Sequence, residues 1–140
     1  MVKVVVLGAH GKVAQITEKF LLADKDVETS LFLRNADRMA DKKDQAKIFE
    51  GDATDEAQLE KAIKGQDVVY ANLGGAKDID LEAEAVVEAM HNDKVKRLIW
   101  ISTLGIYDEV PGKFGEWNKS QLGDYITDYA KAAKRIEDSG

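Results

Sequence analysis

The amino-terminal stretch Val2–Ala14 constrains the fold more than any other part of the chain. It joins the apolar run Val4–Leu7 to a turn of pattern G-x-x-G-x-x-A and then to helical spacing. A strand buried on both faces of a parallel sheet is apolar throughout, and the N–H groups of a following helix point at an anion. Gly8 permits the tight turn, Gly11 lets the backbone approach a pyrophosphate, and Ala14 lets the helix pack on its strand. The stretch therefore predicts a phosphate-binding βα turn, with an ordinary tight turn as the alternative.

The rest of the chain continues to alternate strand and helix patterns. Short apolar runs predict further strands at Glu28–Arg34, Ala46–Glu50, Asp67–Leu73 and Val95–Thr103. Five strands separated by helices predict an α/β fold, with a three-layer, doubly wound parallel sheet in the order 3-2-1-4-5. We expect residues 1–140 to form a single domain, because the length suits one core.

Helical spacing predicts where the helices lie and which faces they bury. In the first helix, over about 12–22, the apolar residues Val13, Ile16, Phe20 and Leu21 recur at helical spacing and are predicted to face the sheet. Thr54 is predicted to cap the next helix through its hydroxyl. Another helix is expected over about 80–91, and a loop at 107–117 is predicted to precede a long helix over 119–138.

Composition excludes several classes of partner and site. The net charge of −6, without a basic cluster, argues against nucleic acid and against an anionic membrane surface. The chain has no cysteine, and His10 and His91 are too far apart to suggest a metal centre. The apolar start is too short for a signal peptide or a membrane span, so a cytoplasmic location is expected.

Ligands of such sheets bind beyond the carboxyl ends of the central strands. After strand two, where many NAD-binding proteins place a carboxylate, this chain has Arg34. A guanidinium can hold a 2′-phosphate, which favours NADP(H) over NAD(H); a solvated arginine is the alternative. His10 and Lys12 belong to the predicted phosphate turn, although a loop imidazole often faces solvent.

Two further strand ends contain candidate cofactor-binding residues. Asp52, after strand three, is placed to accept a hydrogen bond from the adenine amino group, or equally to start a turn. After strand four, Asn72, Leu73 and Gly74 are predicted to form an open stretch of backbone beside the ribose and nicotinamide. An ordinary βα turn is again the alternative.

Strand five ends in Trp100–Tyr107, and here the chain resembles the short-chain dehydrogenase/reductase superfamily, especially its extended and atypical NmrA-like branch. The resemblance covers nearly the whole chain and also rests on the glycine turn, on Gly51-Asp52, on the segment 72–75 and on the closing segment 136–140. It implies a Rossmann-like fold that binds NAD(P). Members of the family include reductases, epimerases, flavin reductase-like proteins and redox sensors.

The resemblance also implies catalytic positions. Thr103, with Ser102 as a second candidate that also borders the cofactor, would hydrogen-bond the reacting oxygen. Tyr125 matches the family's proton-exchanging tyrosine, but Tyr129 stands where the family has its lysine. A packing role for Tyr125 is the alternative. Hydride transfer to a flavin or quinone can proceed without that pair, because the acceptor supplies most of the chemistry.

These observations favour an NAD(P)H-dependent oxidoreductase of the atypical short-chain type, acting on an unidentified small-molecule acceptor. The alternative is a non-catalytic redox sensor or a truncated binding module. In the family the chain continues beyond a segment like Ser139-Gly140, so we expect truncation. An exposed fifth strand then predicts either a homo-oligomer or a domain cut from a longer protein.

Overall fold

Strands and helices alternate along most of the chain in the computed structural model. The structure describes residues 1–73, 78–102, 109–122 and 124–140. For residues 122, 124 and 125 it describes only the backbone. The strands are β1 (Val2–Leu7), β2 (Val27–Leu33), β3 (Lys47–Glu50), β4 (Val68–Ala71) and β5 (Arg97–Trp100). The helices are α1 (Lys12–Ala23), α2 (Glu56–Ile63), α3 (Ile79–Asp93), α4 (Gly112–Leu122) and α5 (Asp124–Asp138), and a kinked 3₁₀ segment covers Ala36–Lys42. No helix in these ranges is long and apolar enough to cross a membrane.

The five strands form one parallel sheet in the order β3-β2-β1-β4-β5, which confirms the predicted fold class and strand order. β1 lies at the centre, where Val5 is opposite Ser30 of β2 on one side and Val69 of β4 on the other. The residues from Val4 to Leu7 are all buried, as expected for a strand covered on both faces.

Alternate residues of each strand pack into two separate cores, one on each face of the sheet. Val5 and Leu7 pack against α2, α3 and α5, which share one face. Val4 and Val6 pack into the opposite core, which includes Ala14 of α1. This alternation follows from the two-residue period of a strand and produces the three predicted layers.

The predicted inward face of α1 is wrong except at Leu21, which is partly buried against the same core as Ala14. Val13, Ile16 and Phe20 are exposed by 49%, 58% and 74%, whereas Ala14 and Glu18 are the buried residues of the helix. Ala14 is fully buried because its small side chain allows α1 to approach the sheet. Leu21 and Leu22 continue the face of Ala14 and Glu18, so Val13, Ile16 and Phe20 lie on the exposed side of the helix.

Two local predictions about the helices are also corrected. The N-cap of α2 is Asp55, not Thr54: its carboxylate accepts a hydrogen bond from the backbone N–H of Gln58 at 3.2 Å. The predicted loop at 107–117 is helical from Gly112 onward, where α4 begins. The aromatic rings of Phe114 and Trp117, one turn apart on α4, stack with centroids 5.7 Å apart while both remain exposed.

Glu18 places an ionisable group on the buried face of α1. Its side chain is only 2% exposed, and neither carboxylate oxygen has a hydrogen-bond partner among the described residues. Burial raises the pKa of Glu18 from 4.5 to about 7, although the positive charge of Lys42 lowers it. The folded protein therefore holds a proton here that the unfolded chain releases at lower pH.

We predict that this proton makes stability fall with rising pH. Between pH 4.5 and about 7 the unfolded chain has lost the Glu18 proton while the folded protein keeps it, so the free energy of unfolding decreases over this window and then levels off. Glu18→Gln removes the part of this decrease that Glu18 causes and is expected to be more stable than the wild type by about 2 kcal/mol near pH 8. Denaturant unfolding near pH 5 and near pH 8 measures the difference.

The exposed Glu116→Gln is the matched control, and it is expected to leave the pH profile unchanged. A Glu18→Gln variant whose stability differs from that of the wild type by the same amount at both pH values would contradict the prediction.

Candidate functional site

A cavity of about 490 Å³ opens at the carboxyl ends of β1, β2 and β4. These strands meet where the chain order of the sheet reverses, which is the usual ligand position in open α/β sheets. The turn between β1 and α1 forms one wall, and residues following the other strands form the rest. The described lining residues are Gly8, His10, Gly11, Lys12, Val13, Phe32, Leu33, Arg34, Arg38, Gly51, Ala53, Asn72, Leu73, Glu82 and Tyr129.

Gly8 makes the turn after β1 possible. Its φ of +75° is a conformation that other residues rarely adopt, and a Cβ on it would lie 2.3 Å from the backbone oxygen of Asn72. The N–H groups of Gly8 and Ala9 both donate to the carbonyl of Phe32, at 2.9 and 3.1 Å. The turn is therefore fixed between β2 and the end of β4.

Gly11 ends this turn and serves as the N-cap residue of α1. Its backbone is extended, and a Cβ on it would lie 2.4 Å from the side-chain nitrogen of Asn72. Gly11 thus leaves room for the Asn72 amide. Because the first N–H groups of a helix have no acceptor within it, this end of α1 faces the cavity with free donors and the positive end of the helix dipole.

Four basic side chains line the same cavity, although the whole chain carries a net charge of −6. Lys12 and His10 come from the turn, and Arg34 follows β2. Arg38, in the 3₁₀ segment, was not singled out from the sequence; its Nη1 lies 3.4 Å from Nδ1 of His10. This concentration of positive charge suits a ligand with several phosphates.

Asp52 does not line the cavity, although its neighbours Gly51 and Ala53 do. Its Oδ1 accepts hydrogen bonds from the backbone N–H and the hydroxyl of Thr54, at 2.9 and 2.8 Å. These hydrogen bonds hold the pKa of Asp52 below its usual value of 3.8. The structure therefore supports the turn interpretation of Asp52 more directly than the adenine one.

The segment after β4 is fixed by α5. The hydroxyl of Tyr129 donates to the carbonyl of Leu73 at 3.1 Å, and both residues line the cavity together with Asn72. In the sequence, Tyr129 stands where the family has its lysine. Its aromatic ring is buried in the core, while its hydroxyl positions the wall of the cavity.

The remaining predicted residues are not brought together in the described cavity. Ser102 does not line it, and its buried hydroxyl has no hydrogen-bond partner in the described ranges. Gly74 and Thr103 lie outside the described residues, and so does the side chain of Tyr125.

Glu82 is a cavity residue that sequence reasoning missed. It is the fourth residue of α3, is 2% exposed, and its Oε1 has no hydrogen-bond partner among the described residues. Burial raises the pKa of Glu82 to about 7; Arg34 lowers it, and Asp78 and Asp52 raise it. In the sequence Glu82 is one of four acidic residues within 80–88 and carries no distinguishing signal.

We expect Gly8→Ala to destabilise the protein strongly, because the added methyl group meets the Asn72 backbone in addition to the unfavourable φ. Gly65 has a similar φ of +79°, but a Cβ added there would meet nothing within 4 Å, so Gly65→Ala is the matched control. We expect losses of about 1 kcal/mol for Gly65→Ala and about 3 kcal/mol for Gly8→Ala in denaturant unfolding. Equal losses would show that contact with Asn72 costs nothing.

Similar structures include a Rossmann-fold NAD(P)-binding family protein from Shigella flexneri, at 32% identity and a TM-score of 0.79, with 100% of this chain and 63% of that one covered. A wide-type short-chain dehydrogenase/reductase from Veillonella parvula in complex with NADP matches at 24% identity and a TM-score of 0.87. The match covers 96% of this chain and 63% of that one. An anaerobillin reductase from Escherichia coli O157:H7 matches at 22% identity and a TM-score of 0.84. This match covers 96% of this chain and 66% of the reductase.

This chain therefore spans about two thirds of the length of these three proteins. No curated protein sequence shows a significant match. The model of the NAD(P)H-binding family matches residues 8–140, which include every described residue of the cavity wall. The chain belongs to the NAD(P)H-binding family and has the Rossmann-like fold of the short-chain dehydrogenases/reductases.

Proposed function

We propose that this chain is the dinucleotide-binding part of an NAD(P)H-dependent oxidoreductase that reduces a small-molecule acceptor. The observation that carries the proposal is the shared cavity of the glycine turn, the start of α1 and two arginines. The glycine turn and the start of α1 suit the pyrophosphate of a dinucleotide, and the two arginines suit a 2′-phosphate. Membership of the NAD(P)H-binding family supports the assignment of the ligand class.

The residues present fit such a cofactor. The turn from Gly8 to Lys12 would hold the pyrophosphate, because it combines a close backbone, free helix N–H groups and a positive side chain. Asn72 and Leu73 would border the ribose and nicotinamide, together with Gly74 and Ser102 from the sequence prediction. When bound, the cofactor supplies the hydride, and the chain holds and orients it.

We further propose that the cofactor is NADP(H) in preference to NAD(H). Arg34 and Arg38 both line the cavity beyond the end of β2, the strand that borders the adenosine ribose in dinucleotide-binding folds. Two guanidinium groups suit the charge of a 2′-phosphate, whereas an NAD-specific site would place a carboxylate there. Asp52, tied to Thr54 and outside the cavity wall, does not supply that carboxylate.

Thr103 and Tyr125 stay our candidates for the catalytic step, on the strength of their sequence positions alone. Because Tyr129 occupies the expected lysine position, the family's tyrosine–lysine pair is incomplete in this sequence. An acceptor such as a flavin or quinone places little demand on a protein proton donor. We therefore propose a flavin, quinone or comparable conjugated molecule as the acceptor class.

Calorimetric titration of the chain with NADPH and with NADH tests the cofactor assignment. Arg34→Ala and Arg38→Ala are expected to weaken NADPH binding by about tenfold or more each, and to change NADH binding by less than about threefold, because a charged hydrogen bond contributes about 1.5–3 kcal/mol. Arg97→Ala is the control: it removes the same charge from the exposed start of β5, away from the cavity.

The proposal fails if the wild-type chain binds neither dinucleotide. Equal weakening of NADPH and NADH by the arginine variants would instead overturn only the preference for NADP(H). Once binding is established, the loss of nicotinamide absorbance with flavin, quinone and carbonyl acceptors tests catalysis. Binding without any such loss would favour the alternative, a non-catalytic redox sensor or a truncated binding module.

A further inference from the structure

Glu82 is the only acidic residue among the described residues that line the cavity. An acidic group is unexpected in a wall that also contains Lys12, Arg34 and Arg38 and that suits a ligand with several phosphates. A carboxylate facing phosphates would weaken their binding by repulsion. The position of Glu82 therefore calls for a role that is compatible with an anionic ligand.

The charged groups that act on Glu82 indicate which part of the cavity its carboxyl group occupies. The charged groups that influence its carboxyl are Arg34 after β2, Asp52 after β3 and Asp78 just before α3. Asp78 belongs to the connection from β4 into α3 itself, whereas Arg34 and Asp52 follow β2 and β3, which lie on the side of β1 where the adenosine half of a dinucleotide binds. Glu82 therefore stands toward the adenosine half of the cavity.

We propose that the carboxyl group of Glu82 recognises the adenine ring of the bound dinucleotide, acting as a neutral acid that donates one hydrogen bond and accepts another. This inference rests on the proposed function, since it requires a dinucleotide in the cavity. The N7 edge of adenine offers the ring nitrogen N7 as acceptor beside the 6-amino group as donor, whereas hypoxanthine offers two acceptors on the same edge. A neutral carboxylic acid matches both groups of adenine, whereas a carboxylate can only accept.

The surroundings of Glu82 favour the neutral acid. The side chain is almost completely buried, and its Oε1 finds no donor in the described part of the chain. Burial is the largest influence on its pKa, which is raised to about 7 in all; Arg34 lowers it, and Asp78 and Asp52 raise it. A neutral carboxyl also avoids repulsion of the cofactor phosphates.

The geometry assigns this role to Glu82 instead of Asp52. Asp52 Oδ1 already accepts two hydrogen bonds from Thr54, and its backbone N–H donates to Oε1 of Gln58 at 2.7 Å. Its pKa is lowered, so it lacks a proton to donate near neutral pH. Glu82 has an unpartnered oxygen, lines the cavity and, with its pKa raised to about 7, keeps its proton to higher pH than Asp52 does.

The test compares NADPH with its hypoxanthine analogue, in which a carbonyl oxygen replaces the adenine amino group. We expect the wild-type chain to bind NADPH about tenfold more tightly than the analogue, because one hydrogen bond is lost. Glu82→Gln keeps one donor and one acceptor and is expected to keep this preference, as glutamine pairs with adenine in the same way. Glu82→Leu is expected to bind both cofactors equally.

The pH dependence provides a second readout. NADPH affinity of the wild type is expected to fall by about tenfold between about pH 6 and about pH 8, as Glu82 loses its proton. Glu82→Gln is expected to lack this component. His10, Lys12, Arg34, Arg38, Asp52, Asp78 and the cofactor phosphates are the same in both proteins, so the difference between the two profiles isolates Glu82.

Three results overturn the inference, and they are distinguishable from each other. If the wild type binds no dinucleotide, the proposed function fails and this inference fails with it. If the wild type binds but Glu82→Leu keeps the adenine preference, or weakens both cofactors equally, Glu82 only supports the cavity. If Glu82→Gln keeps the wild-type pH profile, the carboxyl does not act as a proton donor.

Discussion

The contact between the Gly8 turn and Asn72 is the constraint on which the rest of the structure depends. It joins the end of β1 to the end of β4 at a distance that only a glycine allows. The pairing of β1 with β4 brings these ends level, and the carbonyl of Phe32 fixes the turn from the other side. A displacement here would change the direction of α1 and the shape of the cavity together.

Much of the fold could be predicted because its main determinants are local. An apolar strand followed by a glycine turn, and then regular alternation, was sufficient for the sheet order. The inward face of α1 could not be predicted, because its rotation depends on how closely Ala14 meets the sheet. The N-cap of α2 lies one residue after the predicted one. The hydroxyl of Thr54 donates to Asp52, and Asp55 caps the helix instead.

The candidate site was predictable only where its residues belong to strand ends. The glycine turn, Arg34 and Asn72 are read directly from their positions after β1, β2 and β4. Arg38 and Glu82 come from helical segments, where charged residues are ordinary and only the packing of the chain reveals which ones face inward. The two buried glutamates make this point clearly: Glu18 and Glu82 have the same burial, but only Glu82 lines the cavity.

The central position of β1 has a consequence for the order in which the cavity forms. β1 and β2 are joined by a short crossover, whereas Val4 pairs with Val68 across more than sixty residues of chain. Closing so long a loop costs more conformational entropy than closing a short one, so long-range strand pairing is slow. A folding intermediate that contains only the first β-α-β unit would have the glycine turn but not Asn72 beside it. The dinucleotide would then act on folding only after β4 has paired, as a ligand that slows unfolding without speeding the early steps.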